Sequence, residues 1–258
     1  MNRTKYVISF VAALGSLAFY TVESRAVPSV WSGHDITFSK AAFAEPTDPA
    51  NQDRIDSRVW ITRGSAQGIY NASSEISYTN NISPAGTRWA FVNNNPGATL
   101  AAASWSELIF AEWEVAFGGA TAGGPITTLG QDAVLHLVDN DVYLDIRFTT
   151  WGQTSLTGGN FSYDRAAVVT SADFDRDGDT DGADFLIWQR NAGTTNALQM
   201  QGDANFDGVV DDADISIWQV NYPDPPAEIR AIPEPMSFLP LALGLLGLGN
   251  SRVQRRYR

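Results

Sequence analysis

The sequence predicts a mainly β domain, a β-sandwich or jelly roll, over residues 27–170, followed by a small α module of two loop-helix units over 171–222. Three observations carry this. Short runs rich in Val, Ile, Phe, Tyr and Trp recur between glycine, asparagine, serine and threonine turn signals up to about residue 170, as in an antiparallel sandwich. Within one such run, Val142, Leu144, Ile146 and Phe148 alternate with Tyr143, Asp145 and Arg147, which sets one strand face on a core and the other in water. From residue 173 the chain turns acidic, and one twelve-residue pattern appears twice, thirty residues apart.

In chain order, residues 1–26 read as a secretory signal peptide. Arg3 and Lys5 open it, Tyr6 to Phe19 is its apolar run, and Ser24-Arg25-Ala26 offers small residues at the −3 and −1 positions of a cleavage site. The run is too short for a comfortable membrane span. In residues 27–170, Arg58–Thr62 and Thr87–Val92 are predicted strands. Val134–Val138 and Val142–Phe148 flank Asp139-Asn140-Asp141, which reads as a hairpin turn. The length suffices for one core. The stretch Asp48–Ile55 and the later His136–Phe148 resemble extracellular β domains of bacterial surface proteins; that likeness implies no activity.

In residues 171–222, Asp173, Asp175, Asp177, Asp181 and Asp184 hold positions 1, 3, 5, 9 and 12 of the first loop. Asp203, Asn205, Asp207, Asp211 and Asp214 hold the same positions of the second. This is the ligand order of an EF-hand calcium loop. Calcium takes about six to eight hard oxygens, so the chain must curl around it. Gly178 and Gly208 stand at position 6, where the turn is sharpest and a left-handed backbone is needed. Position 7, Asp179 or Val209, ligates through its carbonyl, so its side chain is free to differ. Asp181 and Asp211 are expected to act through water. The repeat continues: Phe185–Asn191 answers to Ile215–Asn221, with apolar residues at 185 and 188, and at 215 and 218. That spacing predicts a short helix after each loop, each helix burying its face on the other.

This duplicated unit resembles a type I dockerin over residues 171–222. The resemblance implies two bound Ca2+ ions and docking onto a cohesin-like domain of another protein. Dockerins carry much of that recognition at positions 10 and 11, often with hydroxyls; here these are Gly182-Ala183 and Asp212-Ala213. Position 12 is Asp, as in dockerins, rather than Glu.

Residues 223–258 are a proline-rich linker and a tail. Pro223, Pro225, Pro226, Pro233 and Pro235 make the linker extended. Pro233-Glu234-Pro235, an uncharged leucine-rich stretch to Ser251 and the cluster Arg252, Arg255, Arg256 and Arg258 follow in order. The arrangement is similar to a PEP-CTERM sorting signal. It implies a Gram-negative host, recognition by an exosortase, transient anchoring in the inner membrane and removal of the tail. The arginines would hold the end on the cytoplasmic side.

The net charge is −12. The first 26 residues carry +2 and the last 23 carry +4, which leaves −18 between them, half of it in 173–214. Such a chain does not bind nucleic acid through its phosphates. There is no cysteine, which removes disulfides, thiol catalysis and cysteine metal sites. No serine elbow, zinc-binding helix or phosphate loop occurs. His34 and His136 are far apart, and His136 reads as a sheet-face residue. Glu112 and Glu114 are the one carboxylate pair to weigh: in a strand from Trp105 to Phe117 they share a face opposite Trp113, Val115 and Phe117. Both are expected to face solvent as ordinary residues. Trp31, Trp105 and Trp151 could stack on sugars, but the core has first claim on most of them.

These readings converge on an exported, non-enzymatic modular protein of the cell surface, outer membrane or extracellular space. The β domain binds or builds, with polysaccharide as a possible target, and the calcium-stabilised module attaches. The alternative is a small polysaccharide-degrading glycoside hydrolase tethered by its dockerin.

Overall fold

The computed structural model describes residues 27–223. The signal peptide, most of the linker and the sorting motif Pro233, Glu234 and Pro235 lie outside the described residues. The elements are β1 (Ser29–Trp31), β2 (Ile36–Lys40), β3 (Asp53–Arg54), β4 (Trp60–Arg63), β5 (Ile69–Asn71), β6 (Thr87–Ala90), α1 (Trp113–Ala116), β7 (Asp132–Leu137), β8 (Val142–Trp151), β9 (Phe161–Arg165), α2 (Gly182–Asn191) and α3 (Asp212–Asn221). A six-stranded sheet runs β2-β9-β8-β7-β6, with β1 also on β8. A three-stranded sheet runs β3-β4-β5.

β8 is the longest strand, and its composition explains its central place. Val142, Leu144, Ile146 and Phe148 are all buried in the main core. β7 pairs antiparallel with β8 across the Asp139-Asn140-Asp141 turn, as the sequence predicts. On the other edge of β8, β9 pairs antiparallel along one half and β1 pairs parallel along the other. The parallel pair departs from the purely antiparallel expectation. No hairpin links these two strands, so their direction follows from long-range packing.

The face of β8 expected to be wet is only partly so. Tyr143 is buried under a second apolar layer, stacked on Trp105 at 5.0 Å and met edge-on by Phe110. His136 joins this layer, its ring parallel to that of Tyr143 at 4.1 Å. Of the three tryptophans weighed for sugar stacking, Trp31 and Trp151 are buried and Trp105 is half-buried.

One core draws on both sheets: Ile61 and Ile69 of the smaller pack with Leu135, Leu144 and Ile146 of the larger. A buried ion pair ties them further. Arg165 of β9 donates to both oxygens of Asp53 in β3, at 2.7 and 2.8 Å, and the Tyr163 hydroxyl donates to the same carboxylate at 2.7 Å.

The predicted strand from Trp105 to Phe117 does not exist. Residues 102–107 form a 3-10 turn, Ala111 makes an isolated bridge to Trp89, and α1 follows. Trp113, Ala116 and Phe117 are the buried residues, and Val115 is exposed. That is i, i+3, i+4 spacing, a helical period that the alternation of Glu with apolar residues had disguised.

The predicted boundary between residues 170 and 171 is crossed by packing. Among the described residues, 27–222 belong to one compact unit, and Phe206 of the second acidic loop belongs to the main core.

Candidate calcium site

Each acidic loop folds on itself through its own carboxylates. Position 12 closes it: Asp184 accepts from the amides of Phe174 and Asp175 at 2.6 and 3.2 Å, and its other oxygen accepts from Asp181 at 2.8 Å. Asp214 repeats the set with Ala204, Asn205 and Asp211 at 2.8, 3.3 and 2.8 Å. Position 9 caps the helix that follows, with Asp181 accepting from Ala183 and Asp211 from Ala213. An aspartate there meets both the open amides and the dipole of the helix start. Position 6 is left-handed in both loops, φ 103° at Gly178 and 87° at Gly208, as the sequence predicts.

In the first loop the oxygens of Asp173, Asp175 and Asp177 lie within 4.8 Å of one another, and so do those of Asp179, Asp181 and Asp184. The Asp179 side chain, at a position whose ligand is expected to be the carbonyl, stands with Asp181 and Asp184. In the second loop Asn205 donates to Asp207 at 2.9 Å, and Asp203 accepts from Gly208 at 2.9 Å. Val209, at position 7, makes a bridge to Thr195 in the connection between the units. Position 1 differs between the loops: Asp173 is half-buried, Asp203 fully buried.

The donor set fits a hard cation. The Oδ1 atom of Asp203 is buried with no hydrogen-bond partner. Burial pushes this carboxyl up to about 7, with Asp214 and Asp207 adding to the shift and the Gly208 amide opposing it. Asp173, Asp175 and Asp214 are also raised, burial again being the largest cause, and Asp179 is raised mainly by Asp177. Carboxylates crowded this way are strained by each other and relieved by a divalent ion.

The two units brace each other reciprocally. The Trp188 indole of α2 donates to the carbonyl of Asp211 at 3.0 Å, and Trp218 of α3 donates to that of Asp181 at 2.9 Å. Each helix thus holds position 9 of the other loop. Between them Ala172, Phe174 and Ala204 are buried against Ile187, Trp188, Ile217 and Trp218, so the shared face runs through 187 and 217 as well as the predicted 188 and 218, while Phe185 meets Trp218 at 5.2 Å.

Sequence reasoning missed position 4. Arg176 and Phe206 are both left-handed, φ 59° and 63°, and both turn away from the carboxylates into the β domain. Arg176 is buried; it donates to the carbonyl of Asn140 and to Gln199, and lies 3.6 Å from Asp141. Phe206 meets Trp31 edge-on at 5.0 Å, and its carbonyl accepts from Ser57 at 3.1 Å. A phenylalanine inside an acidic loop was the available signal.

Glu112 and Glu114 are not solvent-facing ordinary residues. Glu112 precedes α1, accepts from the Ser83 amide at 2.6 Å and pairs with Arg88 at 2.6 Å. Glu114, inside α1, accepts from the Tyr78 hydroxyl and from the Asn81 amide at 2.8 Å. Both pin the loop over residues 78–83. Glu114 borders a cleft of 280 Å³ with Tyr78, Trp113 and Trp151, and Glu112 does not. Compared with family models, with curated proteins and with solved structures, the chain gives no match.

Proposed function

We propose that this chain is an exported surface protein whose two acidic loops each bind one Ca2+ and thereby lock a β-sandwich built from its two sheets. Asp173, Asp175, Asp177, Asp181 and Asp184 hold the first ion with the carbonyl of Asp179. Asp203, Asn205, Asp207, Asp211 and Asp214 hold the second with that of Val209. The ion supplies positive charge to carboxylates that otherwise repel. The observation that carries this is the buried, unpartnered oxygen of Asp203, at the position where the repeat requires a ligand. Unlike a dockerin joined by a free linker, this pair is fastened to its neighbour through Arg176 and Phe206. Metal binding is therefore coupled to the β domain as well as to the helices.

The further parts of the proposal rest on sequence pattern and exposure. Positions 10 and 11, Gly182-Ala183 and Asp212-Ala213, are exposed at equivalent places on the two units, and are the surface we assign to a cohesin-like partner. The β domain is assigned a binding role on polysaccharide, without catalysis. Residues 1–26 direct export, and the tail is removed by an exosortase after Pro233-Glu234-Pro235 reaches the inner membrane. Calorimetric titration of the metal-stripped protein tests the central claim: two calcium ions per chain are expected, and no uptake refutes it. For the tail, intact mass from the native host should lack the arginine cluster; Arg258 on the exported protein refutes the sorting reading.

A further inference from the structure

One strand of each sheet ends at the cleft that Glu114 borders. Arg63 closes β4 and Trp151 closes β8; both line this space of 280 Å³, and the Arg63 guanidinium lies 3.7 Å over the Trp151 ring. The floor is apolar. Trp113 and Trp151 are buried, their rings 5.5 Å apart. Tyr78 is half-buried and meets Trp113 edge-on at 6.4 Å. Gly68 has room for no side chain: a Cβ there would come within 2.4 Å of the Tyr78 ring and 2.7 Å of the Trp113 ring. Both rings are thus packed directly on backbone.

Three carboxamides line the same cleft from exposed positions, Gln67, Asn80 and Gln153. Each stands on a segment that a charged side chain holds. Arg63, 2% exposed, donates to the carbonyl of Gln67 at 2.8 Å and to that of Gly152, beside Gln153, at 2.7 Å. Glu114 accepts from the Tyr78 hydroxyl and from the amide of Asn81, beside Asn80. Gln67 is left-handed, φ 70°, which is uncommon for a glutamine. Backbone strain of this kind persists only where the surroundings fix it, and it clusters at ligand sites.

The lining selects the ligand. Arg63 disfavours a cation and Glu114 an anion. Carboxamides both donate and accept, and both bonds to Glu114 fall on Oε2, so Oε1 is left to accept. An apolar floor under a polar rim suits a ring with C–H faces and hydroxyl edges. The volume is just under that of drug-sized sites, about 300–1,000 Å³, and suits one such ring. Glu114 is the one carboxylate among the described lining residues, whereas glycoside hydrolysis by a carboxyl pair needs two. We propose that this cleft binds one neutral sugar ring of a polysaccharide without cleaving it, with Tyr78 against its C–H face and Gln67, Gln153 and Glu114 bonding its hydroxyls. This gives the polysaccharide-binding role above a site and a ligand class; it rests on that role, but not on the calcium loops.

The test is calorimetric titration of the full-length protein in calcium buffer with a cello-oligosaccharide, a manno-oligosaccharide and, as the charged arm, an oligogalacturonate. Binding of a neutral oligomer is expected, with the acidic one weaker because Glu114 repels it and no sugar released from either. Gln153→Ala and Gln67→Gly each remove one carboxamide from an exposed position, and glycine accepts the left-handed backbone of residue 67. Each should weaken the neutral oligomer by about three- to tenfold, the worth of one hydrogen bond, with the melting temperature held. Unchanged affinity in both variants overturns the site but leaves the polysaccharide reading standing. An acidic oligomer bound as tightly as the neutral ones overturns the ligand class in the same way. No binding of any of the three removes both.

Discussion

Phe206→Ala tests whether the acidic loops and the β sheets are one cooperative body. The ring is 2% exposed and sits in the main core against Trp31. A buried aromatic removes about 150–250 Å² from water, which at about 25 cal/mol per Å² is an upper bound of about 4–6 kcal/mol. Phe→Ala changes in cores cost about 3–5 kcal/mol, and we expect that range here. The left-handed backbone adds little to the difference, since Phe206 already bears it. Against a typical total of about 5–15 kcal/mol, the loss is roughly a fifth or more. Urea unfolding should be followed by far-ultraviolet dichroism, which weights the helices, and by near-ultraviolet dichroism, which weights the core tryptophans. The unaltered protein should show one transition in both signals, shifted down together by a chelator. The variant should unfold earlier in both and bind calcium more weakly. A shift under about 1 kcal/mol, or helices that melt apart from the core in the unaltered protein, would refute the coupling.

Asp203→Asn should reduce calcium stoichiometry from two ions to one, and should raise the stability of the metal-free protein by replacing a carboxyl that burial drives to about 7; calorimetry and chelator melts read the two opposite signs. His136 is held below its ordinary value of 6.5, mainly by burial, with the Asp141 bond opposing. Its contribution is therefore fully present above 6.5 and is lost as pH falls through that value and the lower folded one. His136→Phe, which keeps the stack on Tyr143, should flatten the decline of melting temperature below that pH. Glu112→Ala with Glu114→Ala should cost about 1–3 kcal/mol, because Tyr78, Asn81, Ser83 and Arg88 lose acceptors. A thermal melt that does not move would return both glutamates to the rank of ordinary surface residues.

The loops and their helices were legible because their signals are local. Position 6 of a twelve-residue turn needs a left-handed backbone whatever surrounds it, and Gly178 and Gly208 have one. Trp188 and Trp218, at the predicted apolar positions, meet in one cluster, and Phe185, three residues before Trp188, stacks on it and reaches Trp218, because a helix brings every third residue round. The β7-β8 hairpin was legible for the same reason, since its turn and both strands are contiguous. Glu112 and Glu114 were misplaced because a few alternating residues fit both periods, and only the burial of Trp113, Ala116 and Phe117 decides for the helix. Tertiary structure alone decided the parallel pairing of β1, the cover over Tyr143, the stack of Arg63 on Trp151, and the anchoring of both loops through position 4. In each case the deciding partner is remote in sequence: Trp31 for Phe206, Asn140 for Arg176. The ligand order of a loop follows from the spacing of its own residues, whereas burial of a side chain depends on which distant surface the folded chain brings against it.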